Sequence, residues 1–173
     1  MLLGFLAAIA VAIFAASVAF TLRRAMGIQA RWLVPASAGA ALLGFTLWND
    51  YSWFGRQVSG LPPEIVVVDS FEHSAALQPW TLVAPVVNRY RALDLRTISR
   101  STANPEIVRG LVYLAQRYQP TFETLQLVDC GRGLRADAAD AGPDGLPPDA
   151  AWRPLPEDDP LRRAFCATLG ETG

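Results

Sequence analysis

The sequence predicts an α+β protein, a two-helix transmembrane hairpin followed by a small antiparallel β-sheet domain with a C-terminal helix. Three observations predict this class. Two long uncharged stretches open the chain of 173 residues, and no acidic residue precedes Asp50. Short segments rich in β-branched residues and bounded by Pro and Gly follow, which is typical of strands. The chain then closes with a helical segment after an acidic stretch.

The first helix is predicted over residues 2–22. This stretch has no charged residue, and its only polar side chains are Ser17 and Thr21. At about 1.5 Å per residue, such a helix spans the roughly 30 Å hydrocarbon core of a bilayer. A signal peptide is the alternative, but it would place basic residues before the apolar run. Here Arg23 and Arg24 follow the run, which favours a transmembrane helix.

The second helix is predicted over residues 32–54. An uncharged run extends from Trp32 to Asn49, with Trp32 and Trp48 near its two ends, where aromatic residues meet lipid headgroups. Pro35 lies in the first turn, where its missing N–H costs little. Because the segment between the two helices is short, we expect the helices to run antiparallel, forming a hairpin over residues 1–54.

The arginines near the helices predict the orientation of the hairpin. Arg23, Arg24 and Arg31 lie in the connecting loop, whereas Arg56 is the single arginine close to the far end of the second helix. By the positive-inside rule the loop is cytoplasmic. We therefore expect a multi-pass protein of the cytoplasmic (inner) membrane, with both termini outside the cytoplasm.

Small residues recur at every fourth position of both predicted helices. This pattern favours close packing of the helices against each other or an oligomer interface, although alanine-rich segments also produce it by chance. The residues are Gly4, Ala8, Ala12 and Ala16 on the first helix and Ala36, Ala40 and Gly44 on the second.

The soluble part is predicted as a linker over residues 55–64 and a β-rich domain over residues 65–170. The linker contains Gly60-Leu61-Pro62-Pro63, which disfavours helix. Within the domain, β-branched and alternating patterns predict three strands, and the pattern after Pro160 predicts a terminal helix. These strands cover residues 65–68, 90–98 and 121–130, and the helix covers residues 161–169.

Residues 104–118 fit either a strand or a helix. Asn104 and Pro105 make a good helix start, and a helical stripe of apolar residues follows. Alternating apolar residues fit a strand equally, and Gly110 disfavours a helix. A strand is favoured because Gln119-Pro120 would then join it to the next strand as a hairpin.

The chain has two cysteines, Cys130 and Cys166, and both lie in the domain that the arginine count places outside the cytoplasm. In an oxidising compartment this pattern indicates a disulfide. Two unpaired buried thiols are the alternative.

The region around the cysteines carries further residues in a recognisable order. They are Asp129-Cys130, Arg132, Arg135, Trp152-Arg153-Pro154 and Cys166. Over residues 66–166 this arrangement resembles the surface-adhesin protein E-like domain. The resemblance implies a curved antiparallel sheet with a terminal helix, pairing of Cys130 with Cys166, and an extracytoplasmic location. The two-helix anchor departs from the pattern of that family.

Few residues suggest chemistry. Asp69, Glu72 and His73 lie close in sequence, but along a strand Glu72 would point away from the other two, and no second cluster completes a metal site. Four aspartates might suggest calcium but lack EF-hand spacing, so a solvated loop is favoured. They are Asp137, Asp140, Asp144 and Asp149. The arginines between residues 89 and 117 could form a basic face for an anionic partner, although strand alternation alone would also expose them.

These observations predict a membrane-anchored extracytoplasmic (periplasmic) binding or accessory module of a bacterial envelope assembly, without catalysis, metal or cofactor. Its expected partners are the lipid bilayer and another membrane or envelope protein. A net charge of −1 gives no basis for nucleic-acid binding. The alternative is a membrane-tethered enzyme or a metal- or lipid-binding protein with a site near Asp69, Glu72 and His73.

Overall fold

The computed structural model describes residues 2–101, 104–142 and 145–170. The chain divides into two compact units, one ending at Gln57 and the other beginning at Val58. The first unit is helical. The second contains an antiparallel sheet and a C-terminal helix, so the predicted α+β class is confirmed.

The helical unit consists of α1 (Leu2–Ala25) and α2 (Leu33–Ser59). The two helices touch where the Ser37 hydroxyl of α2 approaches the Ala15 carbonyl of α1 at 3.4 Å. On α1, Ala8, Ala12 and Ala16 of the small-residue stripe are partly buried, whereas Gly4 is exposed. The α2 stripe is exposed.

The helix α1 ends in a glycine turn. Gly27 has a φ of 69°, and its N–H donates to the Arg24 carbonyl while the Ile28 N–H donates to the Arg23 carbonyl at 3.0 Å. This pair of bonds is a Schellman motif, which satisfies carbonyls that the end of a helix leaves open. The turn therefore begins the arginine-bearing loop directly after the apolar helix.

The helix α2 is longer at its C-terminal end than predicted, since it continues to Ser59 rather than stopping at Phe54. The segment after Phe54 contains one residue of low helix propensity, Gly55, and no proline until Pro62. Arg56 also reinforces this end, because its guanidinium donates to the Asn49 carboxamide at 2.8 Å. The predicted linker is therefore partly helical.

Among the described residues, one helix is long and apolar enough to cross a membrane, the segment Gly4–Ala25 with a mean hydropathy of 2.5. The expectation of two such helices is not supported. Polar and helix-interrupting residues lower the apolar character of α2, notably Pro35, Ser37 and Asn49.

Within the described residues, six strands form one antiparallel sheet in the order β1-β2-β3-β4-β5-β6, so each strand pairs with its neighbour in sequence. The short helix α3 (Trp80–Val83) lies between the first two strands, and α4 (Pro160–Gly170) follows the last. The strands are β1 (Ile65–His73), β2 (Val86–Arg100), β3 (Ile107–Gln116), β4 (Phe122–Asp129), β5 (Leu134–Asp137) and β6 (Arg153–Pro154).

Residues 107–116 are a strand, which confirms the favoured interpretation of the ambiguous segment. The core explains why. Gly110 of β3 lies against the Phe165 ring of α4, so that a Cβ atom at this position would stand 3.0 Å from the ring. Phe165 and Leu161 of α4 are fully buried, and they cover the sheet residues Leu93, Val108, Val112 and Val128.

The disulfide between Cys130 and Cys166 is formed, with Cα atoms 5.8 Å apart, within the usual range for such bonds. It connects the end of β4 to α4. A second link supports it, because the Arg162 guanidinium of α4 donates to the Cys130 carbonyl at 3.2 Å. The terminal helix is therefore fixed to the sheet covalently and by hydrogen bonding.

Candidate functional site

The site begins with the register of the sheet, because paired residues of antiparallel strands project from the same face. Arg89 of β2 pairs with Phe71 of β1 and with Gln116 of β3, and Arg91 pairs with Leu114. The face that carries these side chains is the face that α4 covers further along the strands. The end that α4 leaves uncovered is therefore lined by arginines and apolar residues.

A cavity of about 410 Å³ opens on this uncovered end. We call it the arginine pocket, and its size falls within the range of ligand-binding clefts, roughly 300 to 1,000 Å³. Its walls combine aromatic, amide and cationic side chains. Those used below are Phe71, Arg89, Arg91, Phe122, Gln126 and Arg135.

Arg91 is the most constrained of the three pocket arginines. Its guanidinium donates to Asp69 at 2.6 Å and to Asp159 at 3.4 Å, and it stacks on the Phe71 ring at 5.2 Å. Only 16% of its side chain is exposed. Its Nε atom is buried without a hydrogen-bond partner. Arg91 thus forms a fixed wall that still has one unused donor.

Arg89 and Arg135 differ from Arg91 because neither forms an ion pair within the described residues. Arg89 also stacks on Phe71, with its guanidinium 5.3 Å from the ring centre. Arg135 lies on β5, paired with Val128 of β4. It also borders a second cavity of about 270 Å³ that includes Asp137 and Asp140. The pocket therefore holds two guanidinium groups available to an anion.

Gln126 of β4 is the unusual residue of the pocket. Its residue exposure is 4%, and its Oε1 atom has no hydrogen-bond partner. Buried polar atoms are nearly always hydrogen-bonded, since leaving one unsatisfied is destabilising. The unused acceptor and the unused Arg91 donor thus belong to two residues that line the same cavity.

The residues Asp69, Glu72 and His73 do not form a shared site. Register shifts in β1 lie between Val67 and Asp69 and between Phe71 and Glu72, which break the simple alternation assumed from the sequence. Asp69 is bound to Arg91, whereas Glu72 and His73 are exposed at the end of the strand. In the part of the chain that the structure describes, no group of three His, Cys, Asp or Glu side chains could hold a metal.

The four aspartates of the acidic segment are also dispersed. Asp137 ends β5 and accepts a hydrogen bond from the Thr124 hydroxyl at 3.2 Å, while Asp140 and Asp149 lie in two separate short turns. Asp144 lies outside the described residues. The favoured interpretation as a loop agrees with the structure where it is described.

Two buried carboxylates beyond the pocket are paired with arginine. The Arg96 guanidinium donates to Asp94 at 2.8 Å and lowers the pKa of that carboxyl below its ordinary value. Burial alone would raise the pKa of Asp129. The backbone N–H and guanidinium of Arg132 outweigh burial, and they hold this pKa below its ordinary value. Arg132 also stacks on Trp152 at 5.4 Å, so this cluster stabilises the fold near the disulfide.

Sequence reasoning found the arginines of β2 and named Arg135 within the resemblance, but it missed Phe71 and Gln126. No local motif marks these two residues, and they join the pocket only through strand pairing. The sequence did offer one signal for Gln126, because this residue lies within an apolar run. A polar side chain on a buried strand is normally hydrogen-bonded to a partner, so its presence there indicates one.

The comparisons with known proteins give no relative, since no family model, curated protein or solved structure matches the chain.

Proposed function

We propose that this chain is a membrane-anchored extracytoplasmic binding module, acting as an accessory component of a bacterial envelope assembly. The observation that carries the proposal is a long apolar helix joined in one chain to a disulfide-bonded sheet domain with an open pocket. The resemblance to the surface-adhesin protein E-like domain stays a prediction.

The exposure of α1 supports the anchor. Phe14 and Ile13 are 72% and 61% exposed, and Phe5 is 66% exposed. Large apolar side chains around an entire helix are stable in lipid rather than in water. We propose that α2 crosses the bilayer beside α1, because the Ser37 contact pairs the two helices and Arg23, Arg24 and Arg31 lie between them. Both termini then lie outside the cytoplasm.

The disulfide supports the same orientation, since such bonds persist in oxidising compartments. Topology can be tested by fusing a periplasm-active phosphatase to the C-terminus and, separately, to the loop at Gln29. We expect high activity only for the C-terminal fusion. High activity only at Gln29 would overturn the orientation, and high activity at both positions would overturn the hairpin.

A surface segment supports the accessory role. The segment between β1 and β2 exposes Leu77, Leu82 and Val83, at 95%, 62% and 89%. Contiguous exposed apolar residues are typical of contact surfaces. The assembly can be tested by affinity capture of the protein from mild detergent. We expect a neighbouring membrane protein in stoichiometric amount that is lost when Leu77 and Val83 are changed to Ser.

The enzymatic alternative depends on His73, the one histidine of the chain. We expect His73→Ala to leave the cellular phenotype, protein level and disulfide unchanged, because this side chain is exposed and outside the arginine pocket. The measurement is complementation of a deletion strain, with the wild-type gene as reference. Loss of complementation at normal protein level would favour the enzyme.

A further inference from the structure

We propose that the arginine pocket binds a small soluble organic acid, whose anionic group contacts Arg89 and Arg135 and whose apolar body lies against Phe122 and Leu114. The inference rests on the proposed function in one respect, since it takes the arginine pocket as the binding site of the proposed binding module. It does not depend on membrane topology.

Charge supports an anionic ligand. Three arginines line the pocket, and the nearby acidic groups Asp69 and Asp159 are both bound to Arg91. Asp137 and Asp140 border the adjoining cavity with Arg135, and neither forms an ion pair with it. Arg89 and Arg135 therefore present positive charge that no described acidic side chain neutralises by an ion pair. A guanidinium binds carboxylate and phosphate groups with two parallel hydrogen bonds, so either anion fits.

The apolar wall supports an amphipathic ligand rather than an inorganic ion. Phe122 is 61% exposed and Leu114 is 36% exposed, although both lie on sheet strands. The register pairs these two residues, so that they form one continuous apolar surface beside Arg91. The Phe71 ring is already covered by two guanidinium groups, which leaves Phe122 as the open aromatic surface for the ligand.

The unused polar atoms restrict the ligand further. The Gln126 Oε1 acceptor needs a donor, and the Arg91 Nε donor needs an acceptor. A hydroxyl group can donate to the first atom or accept from the second, whereas an alkyl or aryl acid without a hydroxyl offers no donor to Gln126. We therefore infer a hydroxy acid with an apolar substituent as the preferred chemical class.

The test uses the full-length protein in nanodiscs of zwitterionic lipid, with fluorine NMR line broadening of three probes. These are para-fluoromandelate, para-fluorophenylacetate and the neutral para-fluorophenylethanol. We expect para-fluoromandelate to bind most tightly, para-fluorophenylacetate about tenfold more weakly, and the alcohol not at all. Equal binding of acid and alcohol would overturn the anionic role of the arginines.

Four variants assign the binding to this pocket. Arg89→Gln and Arg135→Gln should each weaken para-fluoromandelate binding by about tenfold, the usual effect of losing one charge-assisted hydrogen bond. Gln126→Leu should remove the preference for para-fluoromandelate over para-fluorophenylacetate. The matched control is Arg163→Gln, an exposed arginine of α4 outside the pocket, which should bind as the wild type does. If Arg163→Gln weakens para-fluoromandelate binding as much as the pocket variants do, the assignment of the binding to this pocket is overturned.

A lipid headgroup could supply the same anionic chemistry, so the nanodisc experiment is repeated with an anionic phospholipid. Unchanged probe binding supports a soluble ligand. Loss of probe binding would overturn it in favour of a headgroup. The phosphatase fusions report topology independently, so failure of probe binding with normal topology refutes the ligand class and leaves the anchored module intact.

Discussion

At the scale of single residues, Gly110 shows how the sequence predicted a structure without revealing its cause. Its low helix propensity favoured the strand interpretation of residues 104–118, and that interpretation is confirmed. The structural reason is different, because the missing side chain lets the Phe165 ring approach the backbone of β3. Phe165, which is distant in sequence, requires a glycine at this position, and no local sequence pattern shows this requirement.

Replacement of this glycine should therefore be costly. In Gly110→Ala the new methyl group would lie 3.0 Å from the Phe165 ring and 3.1 Å from Leu93 Cδ1. We expect the free energy of unfolding to fall by about 1 to 3 kcal/mol, the range for an overpacked core. Denaturant unfolding measures it. Gly55→Ala is the control, since nothing lies within 4 Å there, and a fall as large in this variant would contradict the packing argument.

Gln126 leads to the opposite expectation for stability. Its buried acceptor has no partner, so Gln126→Leu removes an unsatisfied polar atom while adding apolar burial. We expect the ligand-free protein to become about 1 kcal/mol more stable. The measurement is thermal and urea unfolding without added acids. A clear loss of stability would mean that the carboxamide is satisfied in solution.

The lowered pKa of Asp129 makes stability depend on pH in acid. Its folded pKa is below the ordinary value near 3.8, so the unfolded chain binds the proton more readily. The contribution of the Asp129 carboxylate to the free energy of unfolding is complete above about pH 5. It is lost as the pH falls below about 4, through the pKa of this group in the folded protein. Urea unfolding across this range should show that decline. The Asp129→Asn variant should show a shallower decline of stability with falling pH. An equal decline in both proteins would exclude Asp129 as the source of the pH dependence.

At the scale of helices and strands, local composition predicted the kind of element better than the residues at which the element begins and ends. The apolar run of α1 predicted its helix, whereas the C-terminal end of α2 was placed five residues early because polar residues after Phe54 suggested a linker. Arg56 explains the extension, since it binds Asn49 and stacks on Trp48 at 4.8 Å. The short strands β5 and β6 were missed because pairing with neighbours, and not their own residues, makes them strands.

The attachment of α4 to β4 gives a prediction at this scale. The disulfide closes a separation of 36 residues, and a loop of that size is worth about 3 to 4 kcal/mol in the chain-entropy model. Cys130→Ala combined with Cys166→Ala should lower the free energy of unfolding by about that amount. Urea unfolding with and without reductant measures it. The free energy of unfolding of the double variant should be the same with and without reductant. A change on adding reductant would mean that reductant acts on stability by a route other than this disulfide.

At the scale of the whole molecule, the sequence predicted the two kinds of unit and the class of fold, but not the pocket. Hydropathy and charge act locally, so they identify an apolar helix and a soluble domain from short stretches. The pocket depends on long-range register, which brings Phe71, Arg89 and Gln116 into one row and places α4 over only part of the face. Bulges in β1 likewise change which side chains are neighbours, so Asp69 and His73 do not share a face as simple alternation along a strand predicts.

The position of α4 after all six strands has a consequence for biosynthesis. During translation the sheet emerges from the ribosome before Leu161 and Phe165, the residues that cover Leu93 and Val112. Until α4 arrives, the nascent domain presents an uncovered apolar surface and an unoxidised Cys130, the state in which partly made proteins aggregate. The stage before α4 docks is therefore the one at which a chaperone or a thiol oxidase would act on this domain.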